Sequence, residues 1–207
     1  MILALASPDC GVDATHTQSE IPATWMTGGL GVGDFDRNGL ADLFTVRGCE
    51  ADGLFINVGE GQFEERGAAW GLADDTCGVS VAVGDVDDDG FEDVYSARTG
   101  PDPAAHQPGF HRLWINQAGA AFSEEALARG VATSSVVSGL SFGAVFGDYD
   151  LDGDLDLFAA TWDITDQGNR LYQNDGTGHF TDVTTQAIGS GPLAEVWGFQ
   201  PAFTDMD

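Results

Sequence analysis

The sequence predicts an all-β fold of β-propeller type, made of repeated four-stranded blades. An internal repeat is the first observation behind this prediction. Acidic loops begin at Asp34, Asp85 and Asp148, roughly 50 to 60 residues apart, which is a spacing typical of propeller blades. The second observation is strand periodicity, because small and apolar residues alternate before each loop. The third is a recurring second half of each unit, which contains a short turn followed by a phenylalanine.

Each unit reads as four strands in sequence order, which predicts an antiparallel blade. The acidic loop joins the first two strands. Third strands are predicted at 54–57, 113–116 and 171–174, and fourth strands begin at Phe63, Phe122 and Phe180. The segments that follow, at 64–71, 124–130 and 184–189, are alternatively brief helical turns.

The repeat boundaries divide the chain into five parts. We expect an N-terminal segment at 1–27, complete blades at 28–76, 77–140 and 141–196, and the start of a fourth blade at 197–207. The fourth loop has only Asp205 and Asp207, which cannot complete a site. Three blades cannot close a ring, since small propellers need about four. We therefore expect an incomplete propeller that is a fragment of a longer protein.

The composition limits the classes of partner. The chain has 34 acidic and 7 basic residues, a formal net charge of -27. This charge argues against binding nucleic acid or anionic lipid, because both are polyanions, and it favours cations. No stretch approaches the roughly 20 apolar residues that span a bilayer, so no membrane span is predicted. Hydrophobic residues make up 43% of the chain, which favours a folded core over disorder.

The acidic loops carry oxygen atoms on alternate residues, as a Ca²⁺ site requires. Calcium takes about six to eight oxygen ligands, and each loop offers side-chain oxygens at positions 1, 3, 5 and 9 and a backbone carbonyl at position 7. Glycine occupies position 6, where a sharp turn needs a residue that tolerates positive φ. The predicted ligands are Asp34, Asp36, Asn38, Leu40 and Asp42 in the first loop, Asp85, Asp87, Asp89, Phe91 and Asp93 in the second, and Asp148, Asp150, Asp152, Asp154 and Asp156 in the third.

Other metals and another loop type fit this pattern less well. Mg²⁺ demands a tighter octahedral site, and Zn²⁺ prefers His or Cys, which the loops lack. An EF-hand needs Glu at its twelfth position, where this chain has Thr45, Ser96 and Ala159. Asn38 replaces one carboxylate in the first loop, so we expect that loop to bind calcium more weakly than the other two.

The three cysteines permit one disulfide within the chain. Cys49 and Cys77 are the preferred pair, because both flank the connection between the first two repeats, and a pair of free buried thiols is the alternative. The apolar opening at 1–7 is shorter than a complete secretion signal and is compatible with a remnant of one.

The units resemble the FG-GAP/VCBS repeats of integrin-like β-propellers, and more narrowly those of the cartilage acidic protein and ASPIC/UnbV relatives. The likeness rests on the loop Asp-x-Asp-x-Asn/Asp-Gly-x-x-Asp and on the strand Leu-Tyr-x-Asn-x-Gly-x-Gly-x-Phe-x-Asp-Val at 171–183. The resemblance implies about three Ca²⁺ sites with the ligands given above. It also implies an extracellular, periplasmic or cell-surface protein engaged in adhesion or other binding.

Three functions are compatible with these observations. We expect a non-enzymatic, calcium-ordered scaffold that presents loops to a protein or glycan partner. The alternative is the propeller portion of a secreted lyase or hydrolase, although no catalytic motif is recognisable and the only neighbouring histidines are His106 and His111. A wire of calcium loops, like thrombospondin type-3 repeats, is disfavoured by the long apolar strands.

Overall fold

The computed structural model describes residues 5–7, 12–14, 28–47, 50–72, 77–99, 111–132, 141–161, 168–189 and 201–204. Five features of the sequence predictions lie outside these residues: the rest of the N-terminal segment, Cys10, Cys49, His106 and the Asp205 and Asp207 pair. No helix in the described part of the chain is long and apolar enough to cross a membrane.

The described chain forms one two-stranded sheet and three four-stranded antiparallel sheets. In the small sheet, β1 (Leu5–Ser7) pairs with β2 (Val12–Ala14). Blade 1 contains β3 (Gly29–Gly33), β4 (Asp42–Arg47), β5 (Glu50–Gly59) and β6 (Gln62–Glu65). Blade 2 contains β7 (Cys77–Gly84), β8 (Asp93–Thr99), β9 (Arg112–Asn116) and β10 (Phe122–Glu124). Blade 3 contains β11 (Ser141–Gly147), β12 (Asp156–Thr161), β13 (Arg170–Asn174), β14 (Phe180–Asp182) and the short helix α1 (Thr184–Ala187).

Each blade is a simple meander, because its four strands pair in the order in which they occur in the sequence. The predicted all-β fold of propeller-type, four-stranded blades is therefore confirmed, and the three sheets described do not close into a ring. The acidic loops connect the first and second strands, as in blade 1, where Gly33 of β3 pairs with Asp42 of β4. Turns or a helical turn follow the short fourth strands, which agrees with the helical-turn alternative.

The first strands of neighbouring blades lie against each other, β3 on β7 and β7 on β11. Small residues allow this approach. A Cβ atom added at Gly31 would lie only 2.6 Å from Val83 Cγ2 and 2.8 Å from Val81 Cγ1. The side chains on the other face of β3 are exposed, 57% for Leu30 and 55% for Val32. One face of β3 is therefore shaped to receive the valines of the next blade.

The hydrophobic core lies between the blades. Between blades 1 and 2, the ring of Phe122 lies 5.9 Å from that of Phe35, 6.2 Å from that of Phe44 and 5.6 Å from that of Trp70. A second cluster between blades 2 and 3 includes Tyr95, Leu113, Leu157 and Tyr172. Because each cluster draws on two sheets, a single blade could not bury its apolar residues alone.

Polar contacts repeat across the same interfaces. The Phe122 N–H donates to the Trp70 carbonyl at 2.8 Å, and the Phe180 N–H donates to the Arg129 carbonyl at 2.9 Å. Each bond joins the turn after one blade's fourth strand to the fourth strand of the next blade. A fully buried ion pair between Asp52 of blade 1 and Arg98 of blade 2 adds a further link.

Cys77, at the start of β7, is fully buried and forms a disulfide. The expectation of a disulfide is thus met at this residue. Its pairing with Cys49 stays a prediction, since Cys10 and Cys49 both lie outside the described residues.

The close contact of β3 with β7 gives a first prediction. Replacing Gly31 with Val places a side chain where Val81 and Val83 already lie, so we expect a loss of about 1–3 kcal/mol in the free energy of unfolding. Urea denaturation measures it. Leu30→Val, on the exposed face of the same strand, is the control and should change stability by less than about 0.5 kcal/mol. Equal effects of the two variants would contradict the proposed packing.

Candidate metal centre

Each acidic loop is closed by the carboxylate of its first residue. Asp34 Oδ1 accepts a hydrogen bond from the Asn38 N–H and Asp34 Oδ2 one from the Gly39 N–H, both at 2.9 Å. The same two bonds recur in the other loops, from Asp89 and Gly90 to Asp85 at 3.1 and 2.8 Å, and from Asp152 and Gly153 to Asp148 at 3.2 and 3.0 Å. The first carboxylate of each loop therefore holds the loop backbone in a tight turn around it.

The turn requires two residues of left-handed backbone in each loop. Gly39, Gly90 and Gly153 at position 6 have φ of 85, 90 and 102°, as predicted. Position 4 is also left-handed, with φ of 57° at Arg37, 56° at Asp88 and 64° at Leu151. The sequence did not indicate this second position, because the residues there are not glycines and share no side-chain chemistry.

The ninth residue of each loop is a fully buried aspartate that joins three parts of the blade. Asp93 Oδ2 accepts the Val86 N–H of its own loop at 3.0 Å, and Asp93 Oδ1 accepts the Asn116 N–H at the end of β9 at 2.8 Å. Asp42 and Asp156 make the equivalent pairs of bonds at 2.7–2.9 Å. These aspartates thus hold the loop, the second strand and the third strand together.

In blades 2 and 3, the asparagine that ends the third strand extends this arrangement. Asn116 Nδ2 donates to the carbonyls of Phe35 in blade 1, at 2.9 Å, and of Glu92 in its own loop, at 3.2 Å. Asn174 does the same to Val86 of blade 2 and Leu155 of blade 3, at 2.8 and 3.1 Å.

The sequence alone did not predict a role for these asparagines. A signal was present, since Asn ends the third strand that the sequence predicts in every unit, at Asn57, Asn116 and Asn174. This pattern could not be interpreted without knowing that one of the two bonds donated by Asn116, and one donated by Asn174, crosses to the preceding blade.

Three carboxylates of each loop come together. In each group, one oxygen per residue lies within 4.8 Å of one oxygen from each of the other two residues. The groups consist of positions 1, 3 and 9: Asp34, Asp36 and Asp42; Asp85, Asp87 and Asp93; Asp148, Asp150 and Asp156. Nine of the predicted ligands are therefore gathered into three groups that could each hold a metal ion.

The remaining predicted ligands lie at positions 5 and 7. Asp89 and Asp152 are not members of the carboxylate groups. Position 5 instead holds the backbone of position 7: Asn38 Oδ1 accepts from the Leu40 N–H at 2.8 Å, Asp89 Oδ1 from the Phe91 N–H at 2.8 Å, and Asp152 Oδ1 from the Asp154 N–H at 3.0 Å. A ligand role for the side chains at position 5 and the carbonyls at position 7 stays a prediction.

Burial makes the charged form of these groups costly. It raises the pKa of Asp93 to about 7, with smaller opposing effects from the Asn116 and Val86 N–H groups and a further rise from Asp87 and Asp89. Burial also raises the pKa of Asp42 and of Asp156, and neighbouring loop aspartates add to the rise. Clustered, partly buried carboxylates of this kind are stabilised by a nearby cation.

The residues fit a hard divalent cation. Each group offers only carboxylate oxygens, which are ligands preferred by Ca²⁺ and Mg²⁺ rather than by soft metals. In the second loop, Asp87 Oδ1 is buried and has no hydrogen-bond partner among the residues that the structure describes. A buried carboxylate oxygen normally accepts a hydrogen bond, and a bound metal ion would take the place of the missing donor.

The described histidines show no comparable arrangement. His111 is buried, and its Nδ1 accepts a hydrogen bond from the Arg98 N–H at 3.0 Å. Burial, with added repulsion from Arg98 and Arg112, lowers the pKa of His111 to about 4. His111 is thus a buried, neutral imidazole held by the backbone of β8.

Fold and loops together define a repeat protein with β-propeller-type blades and an acidic turn in each blade. The family model for the FG-GAP-like repeat matches residues 34–96 and 148–207, more than half of the chain. The chain belongs to the FG-GAP-like repeat family. No curated protein matches it.

The asparagines give a second prediction. Asn116→Ala and Asn174→Ala each remove the two hydrogen bonds that the side-chain amide donates, one of them to the neighbouring blade, together with those that its oxygen accepts from the following turn. Buried carbonyls are left unpaired, so each variant should lower the free energy of unfolding by about 1–3 kcal/mol. Asn57→Ala is the matched control. Asn57 is half-buried, and its side chain donates only to Ala41 of its own blade, at 3.1 Å. Equal losses in all three variants, measured by urea denaturation, would show that the contact between blades contributes nothing.

Proposed function

We propose that each of the three acidic loops binds one Ca²⁺ ion, and that the ions order the loops of a scaffold for binding other molecules. The observation that carries this proposal is the recurrence of the same three-carboxylate group at the same place in three blades. A single acidic cluster is common on protein surfaces. Three in register, each on the turn between the first and second strands, point to a shared ligand.

Calcium is the metal that best suits these groups. Loop carboxylates at positions 1, 3 and 9 and further oxygens at positions 5 and 7 would approach its usual coordination number of about six to eight. Mg²⁺ keeps several waters and demands near-octahedral geometry, for which a loop of clustered carboxylates is poorly shaped. Zn²⁺ would require His or Cys ligands, and the carboxylate groups contain neither.

The disulfide and the acidic loops both bear on the compartment in which the protein works. The disulfide at Cys77 supports an oxidising compartment, and millimolar extracellular calcium suits weak loop sites. We infer an extracellular, periplasmic or cell-surface protein. We infer from the FG-GAP-like repeats a non-enzymatic role in adhesion or binding, with a protein or glycan as partner. The net charge of -27 disfavours nucleic acid, which is a polyanion.

Thermal unfolding tests calcium binding. A ligand that binds only the folded state stabilises it, and sites with dissociation constants of 10⁻⁴–10⁻³ M would each contribute about 1.5–3 kcal/mol at about 10 mM calcium. We expect the melting temperature to rise by at least about 3 °C over the protein in chelator.

Two controls accompany this measurement. Magnesium at the same concentration should give a clearly smaller rise, and a triple variant with Asp34, Asp85 and Asp148 replaced by Asn should lose most of the response to calcium. A melting curve unchanged by calcium in the unmodified protein would refute the proposed function.

The loops should differ in affinity. Asn38 takes the place of a carboxylate, and its Nδ2 donates to Asp36 Oδ2 at 3.2 Å, so the first loop has less negative charge for the ion. In proteins that keep one intact loop, with the first aspartate of the other two changed to Asn, calorimetric titration should find the first loop weakest, roughly tenfold weaker than the third. A first loop that binds most tightly would contradict this order.

A further inference from the structure

Arg129 lies where blades 2 and 3 meet and contacts the second acidic loop. It follows β10, and its side chain is only 11% exposed. Its guanidinium donates three hydrogen bonds in three directions: Nε to Glu125 at 2.8 Å, one terminal nitrogen to the Thr177 carbonyl of blade 3 at 2.8 Å, and the other to Asp87 Oδ2 at 3.0 Å. The side chain is therefore fixed rather than loosely solvated.

The bond to Asp87 sets the second loop apart from the other two. Asp87 is the third-position member of its carboxylate group. The equivalent Asp36 is bonded by Asn38 of its own loop, and Asp150 accepts a hydrogen bond from the neutral Gln173 amide at 2.6 Å. Among the described contacts of these three aspartates, only that of Asp87 is to a positive charge.

The two oxygens of Asp87 are used differently. Oδ2 accepts from Arg129, whereas Oδ1 is buried and has no hydrogen-bond partner among the described residues. The carboxylate thus has one oxygen fixed by a guanidinium and the other free for a metal. An ion bound to Oδ1 would share the negative charge of Asp87 with Arg129, and the two cations would repel each other.

The turn of blade 3 closes the same site from the other side. A Cβ atom added at Gly178 would clash with an Arg129 terminal nitrogen and lie 3.1 Å from Asp87 Cβ. The turn at 177–178 therefore touches both the guanidinium and the candidate ligand. A shift of Arg129 on metal binding would therefore alter its contacts with blade 3.

We propose that Arg129 is a built-in counter-charge for the second loop: it stabilises the calcium-free carboxylate group, ties it to blade 3, and lowers the affinity of this loop for Ca²⁺ below that of the third loop. The inference rests on the proposed function, since it concerns the regulation of one of the three sites. Arg129 acts as a positioning residue here and not as a ligand.

The test isolates the second loop. Asp34→Asn and Asp148→Asn, made together, disable the first and third loops while keeping an oxygen that can accept the loop N–H groups. On this background, Arg129→Met should raise the calcium affinity measured by calorimetry roughly three- to tenfold. The same substitution should lower the melting temperature in chelator, because Asp87 and Glu125 lose their partner. A purely structural arginine would not give these opposite effects.

Two further variants separate charge from position. Arg129→Lys keeps the charge and should leave calcium affinity within about twofold of the unmodified background. Arg66→Met is the matched control for net charge: Arg66 lies just after the fourth strand of blade 1, is half-exposed, and pairs with Glu64 rather than with a loop. It should also change the affinity by less than about twofold, since exposed charges at a distance are screened.

The outcomes distinguish the two proposals. If the melting curve of the unmodified protein does not respond to calcium, the proposed function fails. If calcium binds the Arg129→Met and Arg66→Met variants of the background protein with the same affinity, or binds Arg129→Met more weakly, the counter-charge fails and the proposed function stands. If Arg129→Met does not fold, the comparison of proteins with only the second or only the third loop intact decides, and equal affinities would overturn the inference.

Discussion

The buried aspartate at the ninth position of each loop is the group on which the rest of the blade depends. Asp42, Asp93 and Asp156 are fully buried, and both oxygens of each accept backbone N–H groups. A buried carboxylate is costly unless such donors and a cation offset its lost hydration. One side chain thereby serves the acidic turn, the second strand and the third strand. A substitution there would damage the hairpin and the candidate metal site together.

The candidate metal sites and the blade interfaces are built from the same loops. The second residue of a loop, such as Phe35, is buried in the core between blades, and its carbonyl accepts the asparagine amide of the next blade. Arg129 makes a similar connection from blade 2 to blade 3. An ion that orders one loop would for this reason also stabilise the packing of the following blade. The order of the acidic turns and the packing of the apolar interfaces therefore depend on each other.

Much of this arrangement could be predicted from local patterns. Alternating apolar residues such as Val79, Val81 and Val83 indicated a first strand, and the strand β7 covers them. The glycines at position 6 indicated a turn of positive φ, which the loops have. The exclusion of Asp89 from the carboxylate group could not be predicted. Its side chain can either face a metal or bond the Phe91 N–H, and spacing alone does not choose between them.

The sequence by itself determined the repeat, the strand order of each blade and the acidic residues that could bind a metal, because periodicity and loop spacing act over a few residues. Only the tertiary structure decided which oxygens meet, which asparagines cross between blades, and that Arg129 lies against Asp87, 42 positions away in the chain. The physical reason is that these contacts depend on how one sheet stacks on the next. Stacking is set by side-chain volumes on two facing sheets, such as Gly31 against Val81 and Val83, and no single stretch of sequence contains both faces.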